Sequence, residues 1–118
     1  MTILIVEPGK HPCEVEICNT LQDMQEIVGG YIEAIYPFED MVALISDEEA
    51  KLKSDTQWNR ILGRDVIKGT FFLCGIEGEN FCDLPDDLME KYKKYFWEPE
   101  LFIPTPNGLL PIILRDAP

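Results

Sequence analysis

Two glycines followed by two short apolar runs dictate most of what this chain can become. Between Val28 and Ser46 the sequence reads V-G-G-Y-I-E-A-I-Y-P-F-E-D-M-V-A-L-I-S. Gly29-Gly30 supplies the left-handed stop that ends a helix. Tyr31 to Tyr36 then reads as a strand, with Tyr31, Glu33 and Ile35 on one side and Ile32, Ala34 and Tyr36 on the other. Pro37 to Asp40 is turn chemistry. Met41 to Ser46 is too apolar for a half-wet strand and belongs at the centre of a sheet. The rest of the chain has to pack on this pair.

Taken in order, Thr2 to Val6 is a nearly continuous apolar run, which predicts a buried strand. Glu7 to Lys10 is a turn, and Cys13 to Cys18 alternates strictly with Glu14 and Glu16 outward, so the two segments form a hairpin. Thr20 or Asn19 caps a helix over 20–28 whose buried stripe is Leu21, Met24, Ile27 and Val28. Gln57 to Leu62 is predicted as a short helix ending at Gly63, and Val66 to Cys74 as one strand bulged at Gly69. Asp83 caps a second helix over 84–96, with Pro85 in its first turn and Leu84, Leu88, Tyr92 and Tyr95 or Phe96 buried. Leu101 to Ile103 and Leu109 to Leu114 close the chain as a hairpin with a proline at its edge. The fold class expected is α+β, a single domain over 1–118. It has a mostly antiparallel sheet of about five to seven strands with two main helices packed on it.

Charge restricts the partners. Twenty-two acids against ten bases leave −12, which excludes binding to nucleic acid or anionic membranes by counterion release. No apolar run reaches the ~18 residues of a membrane helix, and the N-terminus reads as a strand rather than a leader, so the cytoplasm is the expected location. Cys13, Cys18, Cys74 and Cys82 form no C-x-x-C pair and meet a single histidine, His11. Buried or semi-buried free thiols are expected, with no metal and no cofactor. His11 reads as a turn residue. No serine-hydrolase or phosphate-loop motif occurs, so no catalytic residue is assigned.

Three constellations could bind. Residues 51–68 hold Lys51, Lys53, Arg60, Arg64 and Lys68 with only Asp55 and Asp65 as acids, a basic island in an acidic body. Within it, Trp58, Asn59 and Arg60 beside Arg64 and Lys68 offer stacking, an amide and cations, which suits an anionic nucleotide-like ligand. Glu33, sharing a strand face with Tyr31 and apolar neighbours, could grip a ligand's amine or hydroxyl. Acidic clusters such as Asp83, Asp86 and Asp87 could instead imitate the charge of DNA. The candidate ligand-binding set is therefore Tyr31, Glu33, Trp58, Asn59, Arg60, Arg64 and Lys68.

Several segments together resemble a known family. They are I-V-E-P-G-K (5–10), L-Q-x-x-Q-E-I-V-G-G-Y-I-E-A-I-Y-P-F-E-D (21–40), V-A-L-I, D-E-E-A-K-L (47–52), N-R-x-L (59–62), I-x-G-T-F-F-L-C-G (67–75) and F-x-x-L-x-x-x-L-x-x-K-Y (81–92). Over residues 3 to about 105 the chain resembles the domain of unknown function 3846 family. It departs where that pattern reads N-E-E-G against Asp47-Glu48-Glu49-Ala50, and where Ser54 to Trp58 replaces the run before N-R. The resemblance implies an accessory protein of phages and mobile elements in the bacterial host cytoplasm, without settled enzymatic activity, with motif residues at Gly30, Glu33, Glu48, Asn59, Arg60 and Gly69. The leading expectation is a non-enzymatic counter-defence protein sequestering a small anionic immune signal, of cyclic or ADP-ribose nucleotide type, in a pocket that an oligomer interface could complete. The alternatives are an acidic DNA mimic that occupies a host restriction or CRISPR-type defence enzyme, and a structural adaptor without ligand.

Overall fold

The computed structural model describes residues 1–113. Its main sheet runs β2 (Cys13–Glu16), β1 (Thr2–Val6), β7 (Phe71–Glu77), β4 (Val42–Asp47), β3 (Ile32–Ile35), with β8 (Asn80–Cys82) added to β7. Every pairing in it is antiparallel. Two separate ribbons complete the β structure: β5 (Trp58–Leu62) with β6 (Asp65–Lys68), and β9 (Glu100–Thr105) with β10 (Gly108–Ile113). Helices α1 (Leu21–Val28) and α2 (Asp86–Tyr95) cover the sheet, and a single 3₁₀ turn spans Ala50–Leu52. The class is α+β, with six strands in the principal sheet. Among the described residues no helix is long and apolar enough to cross a membrane.

The continuous apolar runs have a direct cause: each sheet face carries a helix, so both alternating sets of side chains are buried. Ile3, Ala43, Ile45, Phe72 and Cys74 meet Met24 and Val28 of α1. Leu4, Val6, Leu44, Phe71 and Leu73 meet Leu84, Met89, Tyr92 and Phe96 on the α2 side. Burying a large apolar side chain contributes about 1.5–3 kcal/mol, and Phe71 adds an edge-on contact to Phe96 at 5.2 Å.

Several boundaries differ from the sequence reading. Trp58 to Leu62 is a strand, not a helix. Six residues are too few to sustain an isolated helix, whereas Gly63, at φ +60, turns the segment directly back onto β6. Val66 to Cys74 is not one bulged strand. Gly69, at φ +81, divides it between the ribbon and the main sheet, and a Cβ there would meet Thr56 at 2.9 Å. Glu77 pairs with Asn80 across a tight turn at Gly78, φ +61, that leads into β8.

Helix α2 begins at Asp86 with Pro85 in the cap position and no side-chain cap. Asp83, expected to cap it, accepts the Thr2 amide at 2.8 Å instead. Leu21 is exposed rather than buried; of Tyr95 and Phe96 it is Phe96 that is buried, and Met89 adds a core position beside Tyr92. Thr20 caps α1 as expected, accepting the Asp23 amide at 3.2 Å. All four cysteines are free, but Cys13 and Cys18 are exposed; burial pushes the Cys74 thiol up to about 12. The closing hairpin forms with Pro104 and Pro111 inside its strands, and Leu114 lies outside the described residues.

Asp40 ties the β3–β4 turn to α2. One of its oxygens accepts from Lys91 Nζ at 2.6 Å and Tyr92 Oη at 2.7 Å. The Lys91 hydrogen bond, then that of Tyr92, hold the carboxyl below its ordinary range. A carboxyl with a lowered folded-state pKa stabilises the fold above its unfolded value, and loses that contribution as pH falls through the lowered one. Asp40→Asn is therefore expected to be less stable than the parent at pH 7 in urea titrations, with the difference closing toward pH ~2. A difference that persists undiminished at that pH would contradict this account.

Candidate functional site

A cleft walled by polar side chains lies where the β5–β6 ribbon overhangs the β3–β4 end of the main sheet. Antiparallel register places Glu33 opposite Ser46 and Ile35 opposite Leu44. All four line this cleft of about 230 Å³, with Ile67 from the overhanging ribbon adding to its apolar lining. Glu48, Lys51, Asp65 and Lys68 surround it.

The cleft wall is braced by Asp47, which is 7 % exposed. One of its oxygens accepts Lys53 Nζ at 2.6 Å and the other the Glu49 amide at 2.9 Å. The same ammonium donates to Gly29 O at 3.0 Å, joining the end of α1 to this wall. The bond to Asp47 raises the Lys53 pKa, so this contribution persists through neutral pH and is lost only in strong alkali. Gly30 makes the arrangement possible, because a Cβ there would lie 2.6 Å from an Asp47 oxygen.

Across the cleft, Lys51 Nζ meets Asp65 at 2.6 Å in an exposed pair. That bond comes first among the causes holding the Asp65 carboxyl below its ordinary range. Exposed pairs contribute little, and a ligand can displace this one. Lys68 Nζ donates to Lys53 O at 2.6 Å and stands 5.2 Å from the Trp58 ring centre, leaving it two further donors.

The candidate residues named from sequence separate into distinct places. Glu33 and Lys68 meet in the cleft. Tyr31 is exposed and outside the lining, although its carbonyl accepts the Glu48 amide at 2.8 Å. Trp58 is half-buried and lines a different groove with Glu100, Leu101 and Phe102. Arg64 sits in the β5–β6 turn beside a third hollow.

Asn59 and Arg60 are fully buried and occupied internally. The Asn59 amide donates to Val6 O and Gly69 O at 2.9 and 2.8 Å. The Arg60 guanidinium donates to Phe96 O at 3.1 Å, Lys10 O at 2.6 Å, and Asn59 O and Oδ1 at 3.2 and 2.9 Å. Burial lowers its pKa. The basic island is thus not one cationic surface, since backbone carbonyls and carboxylates take up four of its five cations.

Sequence reasoning missed Asp47 as the brace and Ser46 as a lining residue. The parity of β4 against β3, which sets Ser46 beside Glu33, was the available signal. His11 stacks on Trp97 with ring centres 4.1 Å apart, its Nδ1 2.6 Å from Trp97 O. Among the described residues no group of three or more metal-ligating side chains is assembled.

These features define an α+β domain with an open, polar-walled cleft at the rim of its sheet. The chain belongs to the family described as Domain of unknown function (DUF3846), whose model matches residues 1–97. No curated protein and no solved structure matches it.

Proposed function

We propose that this chain is a non-enzymatic binding domain that captures a small nucleoside-like ligand in the cleft between β3–β4 and the β5–β6 ribbon. The composition of the walls carries this reading. Glu33 and Glu48 have no ion pair among the described residues, and Lys51 and Lys68 hold contacts that a ligand can replace or share. Carboxylates accept from ribose hydroxyls or an exocyclic amine, and an ammonium takes one phosphate. Four acids against two lysines line the cleft, so a polyanion is repelled and a neutral or singly charged ligand is favoured. A volume near 230 Å³ also suits a molecule smaller than a dinucleotide. Capture without chemistry fits the leading expectation from the sequence, an accessory protein that withdraws a small immune signal.

Thermal unfolding in the presence of adenosine, AMP, a cyclic dinucleotide and ADP-ribose tests this. A ligand at a hundred times its Kd stabilises by ~2.7 kcal/mol, which raises Tm by several degrees in a domain of this size. Glu33→Gln is expected to bind at least tenfold more weakly while unfolding at nearly the parent temperature without ligand. If none of the four compounds shifts the parent protein, the reading fails.

One observation favours a second reading, an acidic DNA mimic. Glu14 of β2 and Asp86 and Glu90 of α2 come together around a hollow of about 450 Å³, where these three acids outnumber Lys93 and Lys94. Under that reading Asp86→Lys with Glu90→Lys abolishes inhibition of a DNA-binding enzyme, and Glu33→Gln does not.

A further inference from the structure

The β9–β10 ribbon is chemically unlike the rest of the molecule. Residues 101–113 contain no charged side chain in a chain of net charge −12. They also lie beyond the residues matched by the family model. Register pairs Leu110 with Ile103 and Ile112 with Leu101, so these four share one face. That face is open to water: Leu101 is 49 %, Ile103 39 %, Leu110 52 % and Ile112 39 % exposed. The opposite face turns Phe102, Leu109 and Pro111 toward the β5–β6 turn, around the hollow beside Arg64. A two-stranded ribbon is marginal alone, and this one has only one side covered.

We propose that this outward face docks on the same face of a second copy of the chain. Contact through the strand edges is disfavoured. Pro104 and Pro111 stand within the ladder opposite Leu109 and Phe102. A proline tolerated inside a two-stranded ladder turns its hydrogen-less nitrogen away from its partner, so each outer edge lacks a donor there. The face remains, and four aliphatic side chains meeting their own two-fold copy are self-complementary. Charge points to the same place. Two bodies of −12 repel wherever carboxylates meet, and the uncharged ribbon lets them touch without that cost.

The exposed apolar area of these four side chains is about 300 Å² per copy, within the range of a functional patch. It falls short of the ~800 Å² per partner found in stable complexes. The groove formed by Trp58, Glu100, Leu101 and Phe102, about 290 Å³, adjoins the patch at Leu101 and extends the contact. The dimer is accordingly weak and reversible.

Sedimentation equilibrium of the full chain between 10 μM and 1 mM, in low and high salt, tests the proposal. The expected result is a monomer–dimer equilibrium that tightens as salt rises, because screening removes the repulsion between bodies. Leu110→Glu should leave monomer throughout. Ile103→Thr with Leu110→Thr adds no charge, keeps strand-compatible residues, and should weaken association at least tenfold at unchanged Tm. Three results would overturn the proposal: monomer at 1 mM in both salts, a dimer indifferent to both variants, or association that weakens with salt. The last would indicate a partner surface held by charge instead.

Discussion

Arg60→Ala is expected to lower stability by about 3–5 kcal/mol, read as a shift in the urea midpoint at unchanged slope. The guanidinium is 1 % exposed. It joins three otherwise separate parts of the chain: the turn after β1 through Lys10 O, the end of α2 through Phe96 O, and β5 through Asn59. Truncation leaves those carbonyls buried with fewer donors, at about 1–3 kcal/mol for each that finds no replacement, and opens a void. Arg60→Lys should recover part of the loss, since one ammonium is a point donor and cannot replace a planar fork reaching in several directions. A loss under ~1 kcal/mol in the alanine variant would mean that water fills the site adequately. The result also separates folding from binding, because an Arg60 variant that fails to bind ligand says nothing about the cleft unless its stability is measured too.

Gly30→Ala is expected to cost about 1–3 kcal/mol, although the position shows no left-handed backbone. The added methyl would stand 2.6 Å from one Asp47 oxygen, 2.8 Å from its Cγ and 2.9 Å from the other oxygen. The carboxylate cannot withdraw freely, being held by Lys53 on one side and the Glu49 amide on the other. Moving it breaks the brace of the cleft. The predicted signature is a destabilised protein whose ligand-induced thermal shift falls further than that of Glu33→Gln relative to its own unliganded Tm. Gly29→Ala should also destabilise, through its φ of +83, yet leave ligand binding intact, because a Cβ there meets nothing within 4 Å. Equal effects of the two substitutions on ligand binding would refute the assignment of Gly30 to the brace.

The contrast between those neighbouring glycines shows what local sequence can and cannot convey. Gly29 was legible as a helix stop because left-handed geometry is a property of the residue itself. Gly30 was read the same way, and its reason lies seventeen positions further on, in a carboxylate that only the β3–β4 pairing brings near. Strands β1, β3 and β4 were legible because apolar runs and period-two alternation are local signals. The β5 strand was not. Trp58-Asn59-Arg60-Ile61-Leu62 has a polar pair in its middle that resembles a wet helix face, whereas in the fold that pair is the most enclosed part of the ribbon.

The same inversion governed the site. Trp58, Asn59, Arg60, Arg64 and Lys68 are adjacent in sequence, and adjacency suggested a shared surface. Asn59 and Arg60 both went inward, at a register shift between Trp58 and Arg60, whereas Arg64 lies past the end of β5 in the exposed turn. Glu33 and Lys68, thirty-five residues apart, line the same cleft.

The helices flanking the sheet have a final consequence for how such a molecule can diversify. Because both broad sides of the sheet are largely committed to packing, only its β3–β4 end, which lines the cleft, is left as a recognition platform. Novelty can be written only into the margins: that end of the sheet, the overhanging ribbon, the turn bearing Glu48, and the uncharged arm at residues 101–113. Those parts can change their chemistry while the twin cores keep their volume, so a common scaffold can serve unlike guests.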